Sequence, residues 1–187
     1  NTDAIASRGV DVTGNRNYFY NCHIVGIPAA NAGDEATACD LKVTGEENLF
    51  ERCYFGANTV TRSTTNACVE LTSAATRTWF KDCFFTLYAD AAGALFVKID
   101  AAADIDREIV FDNCIFYNPV GSGSTTLTAA MDVHASAGGD VIVKDCTLIG
   151  GSDWEAADAS NIFLACHSYA DAAEQKAMGI APTVDVT

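Results

Sequence analysis

The sequence predicts an all-β chain: a right-handed parallel β-helix (solenoid) of about five coils with a short C-terminal capping helix. Three observations carry this. Five of the eight cysteines, Cys22, Cys53, Cys83, Cys114 and Cys146, recur at intervals of 31, 30, 31 and 32 residues. Each sits in one local pattern: aromatic residue or Val, two polar residues, Cys, any residue, apolar residue. Between these segments lies a second set in which apolar and polar residues alternate. A strand-rich unit of about 30 residues cannot bury its apolar face alone, whereas stacked copies can.

The elements follow in chain order. Residues 5–12 read as a strand entering the first coil. The cysteine segments are Asn-Tyr-Phe-Tyr-Asn-Cys-His-Ile (17–24), Asn-Leu-Phe-Glu-Arg-Cys-Tyr-Phe (48–55), Thr-Trp-Phe-Lys-Asp-Cys-Phe-Phe (78–85), Ile-Val-Phe-Asp-Asn-Cys-Ile-Phe (109–116) and Val-Ile-Val-Lys-Asp-Cys-Thr-Leu (141–148). In the fourth, Phe111, Cys114 and Phe116 break strict alternation by one residue. Two short strands meeting at a corner explain this, with Asp112 and Asn113 making the turn. Asn and Asp tolerate the left-handed backbone that corners need, and Arg52 fits less well. The second set is Cys39-Asp-Leu41-Lys-Val43, Val69-Glu-Leu71, Leu95-Phe-Val97-Lys-Ile99 and Met131-Asp-Val133, each a half-buried strand. Loops at 28–37, 56–66, 86–93, 118–128 and 150–160 vary in length. The last coil is Ile162-Phe-Leu-Ala-Cys166-His. Good helix formers from Tyr169 to a Gly stop at Gly179 predict the capping helix. The expected domains are 1–168, the β-helix, and 169–187, the cap with an extended tail.

Stacking places equivalent residues above one another. The expected interior is a ladder of thiols, Cys22, Cys53, Cys83, Cys114 and Cys146, beside a ladder of Phe19, Phe50, Phe80, Phe111 and Val143. Parallel Cβ vectors about 4.8 Å apart do not converge to the roughly 3.8 Å of a disulfide. No CxxC and no zinc-type His spacing occurs, and His23, His134 and His167 are expected outward. No metal and no cofactor is therefore expected. Asp100, Asp104 and Asp106, or Asp153, Glu155 and Asp158, supply carboxylates but not the EF-hand spacing.

Composition narrows the partners. The chain has 25 acidic and 11 basic residues, a net charge of −14. It cannot neutralise phosphates in number, which argues against nucleic acid and anionic membranes. Glycoside hydrolysis needs two facing carboxylates. Asp82, Asp112 and Asp145, stacked with Glu51, form a candidate acidic column at the corner, softened by Arg52, Lys81 and Lys144. Outward aromatics are expected at Tyr54, Tyr88, Tyr117 and Trp154, with Trp154 either a sugar platform or a loop anchor. Asn1-Thr2-Asp3 resembles one polygalacturonase motif, whose companions are absent.

The Asn-x-Phe-x-x-Cys-x-apolar coils resemble the pectin-lyase-like β-helix virion proteins of tailed bacteriophages. The resemblance covers roughly residues 8–168. It implies a non-enzymatic structural virion protein, a capsid decoration or head fibre on the particle surface, assembled in the bacterial cytoplasm. It implies other virion proteins as partners and a homo-oligomer, a trimer by analogy. The alternative is a tail-spike β-helix that binds or depolymerises host glycan. No catalytic residue transfers, because no family motif is complete.

Overall fold

The structure is a computed structural model. It describes residues 8–25, 36–72, 75–99, 107–121, 123–134 and 139–155, and the backbone of 162–169. Among these residues every element is a strand, and all named pairings are parallel. The fold is a parallel β-solenoid of about four turns. The expected capping helix beyond Tyr169 lies outside the described residues, as do Asn1-Thr2-Asp3.

Three faces enclose the core. Face 1 stacks β1 (Arg8–Val12), β4 (Cys39–Val43), β8 (Ala67–Leu71), β12 (Leu95–Ile99) and β15 (Met131–Val133) in that order. Face 2 stacks β2 (Tyr18–Tyr20), β5 (Leu49–Glu51), β9 (Thr78–Lys81), β13 (Ile109–Asp112) and the first half of β16 (Val141–Ile149). Face 3 stacks β3 (His23–Ile24), β6 (Tyr54–Phe55), β10 (Phe84–Thr86), β14 (Ile115–Tyr117) and the second half of β16. β17 (Ile162–Tyr169) adds to β16 as a further rung. A small sheet pairs β7 (Thr61–Arg62) with β11 (Tyr88–Ala89) in the loops.

Alternation aims Leu41, Val43, Val69, Leu71, Val97, Ile99, Met131 and Val133 of face 1 into the core, all at 0–1% exposure. Faces 2 and 3 contribute aromatic stacks. Successive rungs on face 2 are Phe19–Phe50, Phe50–Phe80 and Phe80–Phe111, with centroids 4.7, 5.0 and 4.9 Å apart and rings within 8° of parallel. Phe55, Phe85 and Phe116 form the corresponding stack on face 3 and meet the first stack edge-on. Stacking along the axis with edge contacts across it uses both favourable ring geometries.

The turn out of face 3 needs glycine twice. Gly56 and Gly150 have φ of 86° and 80°, and a Cβ would strike the carbonyl oxygen of Thr86 in the following coil or of Asn118 in the preceding one.

Candidate functional surface

The corner between faces 2 and 3 is built by one residue per coil. Asn21, Arg52, Asp82, Asn113 and Asp145 have φ of 55°, 54°, 54°, 52° and 53°. Each immediately precedes a ladder cysteine. The left-handed backbone costs an L-residue about 1–2 kcal/mol. It also turns the corner N–H along the axis: Asn21, Arg52, Asp82 and Asn113 donate to Glu51, Lys81, Asp112 and Lys144 carbonyls at 2.9–3.1 Å. A second left-handed stack, Arg16, Glu47 and Arg77, turns the corner between faces 1 and 2. Periodicity alone gave no sign of it.

The thiols lie just inside the first corner. Cys53, Cys83, Cys114 and Cys146 are 0–2% exposed, and Cys22 on the first rung is partly exposed. Each buried thiol lies within 3.2–3.5 Å of two carbonyl oxygens. One belongs to the residue two before it, and the other to the ladder aromatic of the coil below: Phe19, Phe50, Phe80 or Phe111. The seven described cysteines are free thiols. Burial, then the thiols of Cys146 and Cys83, pushes Cys114 up. The Cys83 thiol, then burial, raises Cys53. Cys83, flanked by Cys114 and Cys53, is shifted down by hydrogen bonds from both.

The carboxylates do not gather as a single acidic column. Strand register places Tyr20, Glu51, Lys81, Asp112 and Lys144 in one outward column of face 2. Lys81 lies 3.6 Å from Glu51, and Lys144 lies 3.1 Å from Asp112. Asp82 and Asp145 belong to the neighbouring corner column with Arg52 and Asn113, where the Asn113 Nδ2 donates to Asp82 Oδ1 at 2.7 Å. The corner takes one residue of each polar pair and the strand keeps the other, so adjacent acids are separated into two columns. Face 1 repeats the alternation: Asp11, Lys42, Glu70, Lys98 and Asp132 share one register column, with Lys42 and Glu70 at 2.9 Å. At the other corner Glu47 pairs with both Arg16 and Arg77. Hydrogen bonding from Arg16 holds the Glu47 carboxyl below its ordinary value.

Trp154 takes the loop-anchor reading, while the most exposed rings lie elsewhere than expected. Trp154 is 6% exposed and packs edge-on against Phe116 at 5.6 Å, anchoring its loop. Among the described residues the exposed aromatics are Tyr18, Tyr20 and Trp79 at 58, 49 and 42%, all on face 2. They alternate with Phe19 and Phe80 in the cysteine segments, so period-two alternation could have found them. On face 3, Tyr54 stacks on Phe84 at 5.1 Å and takes the edge of His23 at 4.5 Å. His23 and His134 are exposed, and the side chain of His167 lies outside the described residues.

Among the described residues the charged side chains that are buried are Asp40, Arg62 and Glu70. Arg62 of β7 is 1% exposed and pairs with Asp40, at 0%. Arg62 Nη1 also donates to Asn66 Oδ1 at 3.2 Å, and Asn66 Nδ2 to Thr64 Oγ1 at 2.9 Å. This network ties the loop sheet to face 1. Beside it, burial raises the Cys68 thiol and pushes Cys39 up to about 12.

Among the described residues no cluster of His, Cys, Asp or Glu could hold a metal ion. Asp153 and Glu155 are engaged with backbone N–H groups of Trp154 and Val133, while Asp100, Asp104, Asp106 and Asp158 lie outside the described residues. A shallow groove of about 310 Å³ lies on face 1 between Thr65, Gly93, Leu95 and Thr128, with Lys98 and Asp132 in its lining. No protein-family model, no curated protein and no solved structure matches the chain.

Proposed function

We propose that the protein is a non-enzymatic structural component of a bacteriophage particle, a β-solenoid on the capsid or tail exterior that works with other virion proteins as a homo-oligomer. The observation that supports a structural role is the pairing of outward acids with bases from rung to rung: Glu51 with Lys81, Asp112 with Lys144, Glu70 with Lys42, Glu47 with Arg16 and Arg77. A glycosidase needs one carboxylate protonated and another free across a cleft. Here carboxylates are engaged in holding one coil to the next. The virion setting rests on the resemblance of the coils to phage β-helix proteins.

The test is localisation together with turnover. Antibodies against the chain should decorate the outside of intact particles, and the isolated protein should release no fragments from host capsule. Absence from purified particles, or capsule turnover, overturns the reading. One observation favours glycan binding instead: the exposed rings of Tyr18, Tyr20 and Trp79 on one face. In that case Trp79→Ala would abolish retention on immobilised host polysaccharide.

A further inference from the structure

We infer that face 2 is a two-fold interface on which a second copy of this chain docks with its solenoid axis reversed. The inference goes beyond the structural role proposed above.

The face presents three outward columns. The first is apolar: Tyr18 and Trp79, exposed, Leu49 and Ile142, half-buried, and Val110, buried beneath its neighbours. The second is Tyr20, Glu51, Lys81, Asp112 and Lys144. The third is the corner stack Asn21, Arg52, Asp82, Asn113 and Asp145. A two-fold axis lying in the face, parallel to the strands and between β9 and β13, lays each column on its own copy in reverse order. Glu51 then faces Lys144 and Lys81 faces Asp112, twice each by symmetry. In the corner column Arg52 faces Asp145, and Asp82 faces Asn113. In the apolar column Trp79 faces Val110, and Leu49 faces Ile142. Every charged pair is opposite in sign, and Leu49, Trp79, Val110 and Ile142 each meet an apolar residue.

Other positions of the axis fail. On β9 it sets Lys81 against Lys81 and Glu51 against Asp112. On β13 it sets Asp112 against Asp112 and Lys81 against Lys144. One rung lower, between β5 and β9, the signs agree but fewer rungs overlap. The arrangement that covers most of the face is thus the complementary one. An isologous interface requires such self-complementarity, and like charges placed opposite each other cost several kcal/mol at an interface. Two chains of net charge −14 also need a locally neutral surface on which to meet.

The strands from β2 to β17 span about 24 Å and the columns about 10 Å, a footprint of roughly 240 Å² per copy. That is under a third of the roughly 800 Å² per partner of a standard interface. The dimer is therefore concentration-dependent.

The experiment is sedimentation equilibrium on the full chain from about 10 µM to about 1 mM. A monomer–dimer equilibrium is expected. Lys81→Glu and Asp112→Lys should each weaken self-association by about ten-fold or more, and an equimolar mixture of the two variants should recover it to within about three-fold of the parent. In the mixed dimer Glu at 81 faces Lys at 112, and Asp112 faces Lys81. Recovery in the mixture therefore cannot come from repair within one chain. Circular dichroism melts confirm that each variant is folded. A monomer throughout, a trimer, a dimer indifferent to Lys81→Glu, or variants that fail to complement in the mixture would each overturn the inference. So would loss of glycan retention, without loss of association, in Trp79→Ala.

Discussion

At the scale of the residue, the solenoid depends on a left-handed corner in every coil, and four of the five corner residues are Asn or Asp. These tolerate the conformation because a short polar side chain can bond locally. Arg52 is the exception. Its guanidinium lies 5.8 Å from the Tyr20 ring and donates to the Tyr20 hydroxyl at 2.9 Å, both at the surface. Such contacts contribute little when exposed. Arg52→Asn should therefore stabilise the fold by about 0.5–1 kcal/mol, read as a rise of about 1–4 °C in Tm. A fall in Tm would mean that the Tyr20 contact outweighs the backbone strain. A second surface contact sets a pH window. The Tyr18 hydroxyl donates to Glu51 at 2.6 Å, which lowers the Glu51 carboxyl and lifts the phenol to about 12. The carboxyl contribution is complete above the ordinary Glu value and is lost as pH falls through the lowered one. The phenol contribution is complete below the ordinary Tyr value and is lost as pH rises through about 12. The Tm difference between the parent and Tyr18→Phe should be greatest between those limits and shrink towards acid. A difference constant with pH would contradict this.

At the scale of the element, each short strand is held by the strands above and below. Phe80 stacks on Phe50 and Phe111 and meets Phe55 and Phe85 edge-on. Phe80→Ala should cost about 3–5 kcal/mol in a denaturant titration. A loss under about 1 kcal/mol would show that the coils can collapse around the gap. The loop sheet is held differently, by the buried pair of Asp40 and Arg62. Asp40→Ala leaves a buried guanidinium uncompensated and should cost about 3–5 kcal/mol, whereas Asp40→Leu with Arg62→Met should recover much of the loss. Equal destabilisation by the single and double variants would mean that the loop depends on the charges themselves. β17 shows how one missing residue changes an element. β16 offers Asp145 and Cys146 where β17 offers Cys166 alone, so the register shifts between Lys144 and Thr147. β17 is thus one residue shorter than β16, eight against nine.

At the scale of the whole molecule, the stack determines which groups meet solvent. The thiols of Cys53, Cys83, Cys114 and Cys146 are buried along one line, and among the described cysteines Cys22 on the first rung is the one partly open. Under native conditions peptide mapping after iodoacetamide should find these four protected, with Cys22 modified fastest among the five rungs. Uniform labelling would mean that the solenoid opens readily. The outside is ordered by the same repeat. Face 1 carries paired charges, while face 2 carries exposed aromatics beside a column of alternating sign.

The sequence by itself determined the parallel solenoid, its period, the stacked interior of cysteine and phenylalanine positions, and the corner between faces 2 and 3. A repeat of 30 to 32 residues with period-two strands leaves few other ways to bury the apolar face. The second corner stack of Arg16, Glu47 and Arg77 escaped that reading because its residue types do not announce a left-handed backbone. The outward columns escaped it as well. Asp82 and Lys81 are neighbours in sequence, yet the corner sends one to the turn and the other to the strand, so the acids that seemed to form one column belong to two. Trp154 was legible as a large ring in a loop, but only tertiary packing decided that it turns inward onto Phe116 while Trp79, within a strand, faces out. The buried pairing of Arg62 with Asp40 joins residues 22 positions apart through a loop whose path no periodicity encodes. Local alternation fixes which side of a strand a residue takes. Which neighbour it meets there depends on the register between coils, and that is set only when the coils stack.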